Sequence, residues 1–405
     1  MLEYSRMSTA PTQFTIVGRK IAALDGIRGV AILLVLFNHY NRFIPDGTLA
    51  LQPLKSFFEY GWTGVDLFFA LSGFLITGIL LETRAANNYF KSFYARRILR
   101  IFPIYYLTLL VVFGAVSWMS HPPSQVPVAA DRKLYFFYLT NWLFLWKGTW
   151  GPNVVGHFWS LAVEEQFYLL WPVFVLYFSR RRLKTVSLLL CAVALIVRVL
   201  WVWKSGPSVA VAISSITRMD SLLAGGLAAI LAHEKRGEGS NQKGLWLFVA
   251  PLAAFTVGVL ACRGDGRAEI FYETIGYTLL ALGFASLIFI ASLPAKIPGL
   301  GFRILGHPFF TQLGKYSYGI YVFHVPLLGA FELTVYRRLP STLVGQPAFA
   351  LLYCAIACIL TFFVAKISYE CLERRFLAWK RYFEPSFSEG ATVKQAAHAV
   401  SLAPN

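Results

Sequence analysis

The sequence predicts an all-α membrane protein, a polytopic bundle of about ten transmembrane helices with both termini in the cytoplasm. Three observations carry this expectation. Of 405 residues, 57% are hydrophobic, and the mean hydropathy is +0.58. Only 14% are charged, against about a quarter in an ordinary soluble domain. The few charges are lopsided, with 37 Lys and Arg against 20 Asp and Glu. Abundant Leu, Phe, Val and Trp exclude disorder. Several long apolar runs argue against nucleic acid as the reason for the basic excess.

A spanning helix needs ~20 mostly apolar residues. Such segments lie near 21–43, 61–83, 101–119, 157–178, 186–203, 216–232, 245–262, 274–293, 316–335 and 347–368. An eleventh stretch, LYFFYLTNWLFLW (134–146), is shorter and rich in Tyr, Trp and Asn. Parity decides its role. If it spanned, Arg180, Arg181, Arg182 and Lys184 would lie across the membrane from the basic loop 84–100. As an interfacial or re-entrant segment it leaves every basic cluster on one face. That face then carries 24 Lys and Arg, the other carries 9, and 4 lie in or at the edge of helices. Basic residues favour the cytoplasmic side, so both termini are expected there, in a multi-pass protein of the inner membrane. Residues 1–20 read as a polar cytoplasmic segment without a signal-peptide core, 21–380 as one membrane domain, and 381–405 as a polar cytoplasmic tail. The five cysteines, at 191, 262, 354, 358 and 371, form no CxxC motif and read as packing residues, so no metal is expected.

Charges inside a bilayer are costly and mark functional candidates. The first helix holds Asp25, Arg28 and His39. At 100° per residue, Arg28 and His39 share a face, roughly 16 Å apart along the axis. Asp25 lies one turn before Arg28 and can pair with it. His39 suits a general base, or it caps the end of its helix. Asp66, in the outer third of the second helix, is placed to orient that imidazole, or it caps its own helix. Ala70 and Gly73 are small enough to border a narrow tunnel, and Ser72-Gly73 allows close helix approach.

The third helix opens with Arg96, Arg97 and Arg100, a cluster suited to phosphate or to membrane anchoring. The fourth carries His157 at its outer end, then Glu164 and Glu165. Adjacent residues point about 100° apart, so one carboxylate is expected inside the bundle. The angle favours Glu164 on the face of His157, with Arg198 or Arg218 as ion-pair partners. Arg218 and Asp220 open the sixth helix and line an acceptor cleft or pair together. His324, in the ninth helix, reads as a packing residue or a buried functional group.

Seven stretches in order resemble the blocks of the acyltransferase-three family of integral membrane acyltransferases. They are LDGIRGVAILLVLFNH (24–39), GVDLFFALSGFLI (64–76), FYARRILRIFPIYY (93–106), FWSLAVEEQFYLLWP (158–172), RMDSLLAG (218–225), YSYGIYVFH (316–324) and ERRF (373–376). The resemblance covers roughly residues 20 to 380. It implies a ten-helix bundle that transfers an acyl group, usually acetyl, from cytoplasmic acyl-CoA to a hydroxyl of a saccharide or lipid-linked glycan. Other members acylate antibiotics and related small molecules. It marks His39 as the catalytic histidine, Arg28 as its motif partner, and Arg97 with Arg100 as the family's RxxR pair. With Arg96 these would hold the CoA phosphates; Asp66, Glu164 and Glu165 would orient His39 or the acceptor. Some members carry a further esterase-like domain, and this sequence resembles the stand-alone form. The intramembrane His and carboxylates are also compatible with a proton-coupled transporter.

Overall fold

The structure, a computed structural model, describes residues 15–16, 19–44, 51–117, 129–151, 154–234, 243–262, 267–293, 300–334, 338–344 and 346–388. Among the described residues, long helices stand at all ten expected segments. They are α1 (Ala22–Tyr40), α2 (Thr63–Thr83), α3 (Tyr89–Ser117), α4 (Phe158–Tyr177), α5 (Arg180–Ser205), α6 (Ser215–Glu234), α7 (Lys243–Ala261), α8 (Tyr277–Ser292), α9 (Pro308–Thr334) and α10 (Pro347–Ser368). Among the described residues, seven helices are long and apolar enough to cross a membrane, as in a multi-pass membrane protein. Among the described residues, one strand pairing joins Thr15–Ile16 to Arg19–Lys20.

Local sequence explains several boundaries. The Ser179 hydroxyl accepts from the Arg182 amide at 3.3 Å and starts α5, as N-cap serines do. Gly206, at φ +73°, ends it. Pro347 opens α10, where its missing N–H is harmless. Helix α3 starts a dozen residues before the apolar stretch. Lys91, Ala95, Arg96, Arg97 and Arg100 are good helix formers, so the expected loop 84–100 is largely helix.

The stretch 134–146 does not span. It breaks into Arg132–Phe136 and Thr140–Lys147, five and eight residues long. Gln166 of α4 holds the break, donating through Nε2 to the Tyr138 carbonyl at 2.8 Å and the Asn141 side-chain oxygen at 3.0 Å.

Successive helices alternate in direction, so the basic segments gather at one end. Arg84, after α2, donates to the Leu176 carbonyl at the end of α4 (2.8 Å). Lys184 pairs with Glu234 at 2.9 Å. The assigned tail is partly built into this end. Ser92 and Asn88 donate to the carbonyls of Phe383 (2.8 Å) and Glu384 (2.9 Å), and the Asn87 amide donates to the Ser386 carbonyl at 2.8 Å. The boundary at 380 therefore cuts a docked segment, and 389–405 lie outside the described residues.

Two close crossings organise the centre. A Cβ on Gly73 would strike the Leu222 carbonyl, and one on Gly225 would strike that of Ala70. Helices α2 and α6 thus touch backbone to backbone, the small-residue contact that replaces hydrophobic pressure in lipid. Ala70 and Gly73 serve this crossing and line neither of the cavities described below. Helices α1 and α9 cross as closely, through Gly29 against Phe310 and Gly314 against Asp25. Substituting Gly225 with Val should lower stability by about 1–3 kcal/mol, the usual cost of overpacking. The thermal midpoint of the detergent-purified protein measures this, and a wild-type value would refute the crossing.

Candidate active site

Two cavities lie back to back between these crossings. The first, toward the basic end, has about 770 Å³ of empty space, open solvent at its mouth included. Its charged lining comprises Arg28 of α1, Arg97 and Arg100 of α3, and Glu164 and Glu165 of α4. Arg97 and Arg100 are three residues apart and share a face of α3. Arg96, turned about 100° from Arg97, lines neither cavity, so its expected place in the phosphate grip is not supported. The Arg97 guanidinium stacks over Tyr168, 5.4 Å from the ring centre. Ser72 donates to Glu164 Oε1 at 2.8 Å and Tyr168 to Oε2 at 3.2 Å.

Glu164 and Glu165 both line this cavity, contrary to the expectation that only one faces inward. A cavity that wraps around α4 accepts two residues 100° apart. Neither sits with His157, which lines the other cavity.

The second cavity, toward the opposite end, has about 1300 Å³ of empty space, open solvent at its mouth included. His39 and Asn38 from the last turns of α1, His157 before α4, Arg218 of α6 and Glu273 before α8 supply its polar groups, between Trp62, Trp150, Trp159, Tyr272 and Tyr277. His39 Nδ1 lies 2.9 Å from the Val35 carbonyl. A carbonyl only accepts, so the neutral ring carries its proton on Nδ1, and Nε2 is the basic nitrogen. The sequence placed Arg28 and His39 on one stripe; the structure shows that stripe serving both cavities, Arg28 in one and His39 in the other.

His324 proves to be the ring behind His39. Their centroids are 4.7 Å apart, and His324 is also 4.8 Å from His157. Sequence separations of 285 and 167 residues hide this cluster from any helical periodicity. Among the described residues, no three His, Cys, Asp or Glu side chains are arranged to hold a metal.

Asp66 has a different role from the one expected. It is fully buried, and its Oδ1 accepts from Arg218 Nη2 at 2.7 Å and Ser221 Oγ at 3.1 Å. It therefore orients Arg218 and does not touch the imidazole. Arg198, also fully buried, pairs with Asp220 at 2.7 Å and donates to the carbonyls of Thr217 and Thr274. The expected pairs of a glutamate with Arg198 or Arg218, and of Arg218 with Asp220, are replaced by these two. Removing one partner of a buried pair strands the other charge, so Asp66→Ala should cost about 3–5 kcal/mol. The double change Asp66→Leu/Arg218→Met should recover most of it. A stable but inactive Asp66→Ala variant would instead make Asp66 a partner of the reaction.

Sequence comparison agrees with the resemblance read from the motifs. A family model described as an acyltransferase domain matches residues 21–366. OatA of Listeria monocytogenes, a peptidoglycan O-acetyltransferase, is 30% identical over 370 residues, 87% of this chain and 55% of OatA. YrhL of Bacillus subtilis, provisionally named a peptidoglycan O-acetyltransferase, is 31% identical over 375 residues, 88% of this chain and 55% of YrhL. The chain thus spans about half the length of these curated relatives. No solved structure matches it.

Proposed function

Because the chain belongs to the acyltransferase-domain family, we propose that it moves an acyl group, acetyl in the simplest case, from acyl-CoA to a hydroxyl of a cell-envelope glycan. The observation that carries this reading is the pair of cavities, one lined by three arginines and the other holding His39. The arginine cavity opens toward the basic, cytoplasmic end, where a polyanionic donor resides. Arg97 and Arg100 hold its phosphates through charge-assisted hydrogen bonds, and Arg28 stands further along toward the thioester. The named activity of OatA and YrhL supports a glycan acceptor, and aromatic walls with polar groups between them suit a sugar. Ten helices span the inner membrane in this reading, with both termini cytoplasmic.

The chemistry follows from His39 Nε2. It takes the proton of the acceptor hydroxyl as that oxygen attacks the thioester carbonyl carbon. The C–S bond breaks, an ester C–O bond forms, and the proton passes from the imidazolium to the CoA thiolate. No proton is gained or lost overall.

His39→Ala should lower transfer by roughly 10²–10⁴-fold, the usual worth of a general base, with folded protein retained in the membrane. Release of free CoA thiol in membranes with acceptor glycan measures it, and near-normal release would remove His39 from the mechanism. Arg97→Ala and Arg100→Ala should each weaken CoA binding to the purified protein by about tenfold or more, since a hydrogen bond to a charged group is worth about 1.5–3 kcal/mol. Unchanged affinity would place the donor elsewhere.

A further inference from the structure

Glu273 takes no part in the transfer chemistry, yet it lines the cavity of His39 while exposing only 7% of its surface. It stands on a π-helical turn, Tyr272–Gly276, just before α8. Such turns are rare and gather at functional sites. Two hydrogen bonds fix this one. Arg198 donates through Nε to the Thr274 carbonyl at 3.1 Å. The Ser208 amide, just past the end of α5, donates to Glu273 Oε2 at 2.9 Å. Among the described residues, no hydrogen bond or ion pair reaches the other oxygen, Oε1. A carboxylate oxygen in a largely buried place needs a donor from somewhere. The other formal charge in the lining, Arg218, is answered by Asp66 at 2.7 Å. Its spare nitrogens Nε and Nη1 are sealed from the cavity, and Glu273 Oε1 is not. Trp62, Tyr272 and Tyr277 line the same cavity. The Trp62 ring centre lies 5.3 Å from that of Tyr272 and 5.4 Å from that of Tyr277. An apolar wall thus adjoins a group that only accepts hydrogen bonds.

We propose that Glu273 binds the acceptor, its Oε1 taking hydrogen bonds from the hydroxyls of an uncharged sugar ring seated against Trp62 and Tyr272. This inference rests on the glycan-acceptor reading above and names its recognition chemistry. A sugar ring has C–H faces that suit an aromatic wall and a rim of hydroxyls that donate. One carboxylate oxygen has lone pairs for two such donors, and bonds to a charged acceptor are the strong ones. A ring that carried its own carboxylate would set a second anion beside Glu273. Glu273 adds no covalent step and moves no proton. It holds the sugar in the cavity where His39 takes the proton of the attacking hydroxyl, which is a matter of orientation.

The test uses an N-acetylglucosamine disaccharide and its monodeoxy analogues as neutral glycan probes, with CoA as the control for the other cavity. Binding to the detergent-purified full chain is measured by calorimetry. Glu273→Gln keeps an oxygen for the Ser208 amide and turns the open oxygen into a donor. It should weaken the disaccharide by about tenfold or more, the worth of a hydrogen bond to a charged group, with CoA affinity unchanged. In the wild type, at least one monodeoxy analogue should bind about tenfold or more worse than the parent sugar. In Glu273→Gln that gap should close to about threefold or less, because the missing hydroxyl and the missing charge remove the same contact. Trp62→Leu keeps the carboxylate and removes the ring, so it should weaken the parent and the deoxy sugars alike. Equal disaccharide affinity in wild type and Glu273→Gln, unchanged ratios across the deoxy series, or binding untouched by Trp62→Leu would overturn the subsite. A wild type that binds CoA but no disaccharide would also overturn it and leave the donor reading standing. Failure of CoA to bind, with the sugar series behaving as expected, would overturn the donor reading alone.

Discussion

A guanidinium inside a membrane bundle persists only where its charge is answered, and that constraint sorts the ionisable residues of this protein into two groups. Arg198 and Asp220, Arg218 and Asp66 answer one another. Thr217, Ser221, Thr274 and Thr278 add hydrogen bonds to them, while Asp66 Oδ2 and Arg218 Nε and Nη1 stay buried without a hydrogen-bond partner. These pairs tie α2, α5 and α6 to the α8 region. Burying them is costly, and removing half of a pair is costlier still. The second group, Arg28, Arg97, Arg100, Glu164, Glu165 and His39, faces cavities, and Arg218 of the first group also lines one of them. The first group fixes the frame in which the second can be open.

The glycine crossings act on the same frame. Where α2 meets α6 and α1 meets α9, the backbones are as close as carbonyl oxygens allow. Residues on these four helices gain positions that longer side chains at the crossings would disturb. Val65 sits two turns from Gly73, and His39 lies ten residues beyond Gly29. Most polar groups of both cavities are therefore set by helices, with His157 just before α4 as an exception.

Much of this was legible in the sequence. Hydropathy located ten helices, charge parity kept 134–146 from spanning, and a 100° step placed Arg28 and His39 on one stripe. Periodicity, however, reports the angle around a single helix and nothing about which neighbour that angle meets. Asp66 could thus be assigned to His39 at similar depth, when Arg218, 152 residues away, holds it. Glu164 and Glu165 were separated by a rule about faces that a curved cavity does not obey. Lys380 follows the last apolar run, where hydropathy carries no signal of burial. It is buried in the turn Trp379–Phe383, whose last carbonyl is docked on Ser92 of the helix that carries Arg97 and Arg100.

The wall between the cavities also has an electrical meaning. In the proposed reading, with the donor and the acceptor entering from opposite sides, the insulating layer between the cavities thins to the side chains around Val65 and Tyr321, which both cavities share. A membrane voltage drops where the dielectric is lowest, so the field is steepest there. Moving one elementary charge through the full drop is worth about 2.3 kcal/mol per 100 mV. A neutral acyl group crosses this layer without doing electrical work, whereas an ion cannot. In that reading the layer passes a neutral chemical group and still opposes an ion.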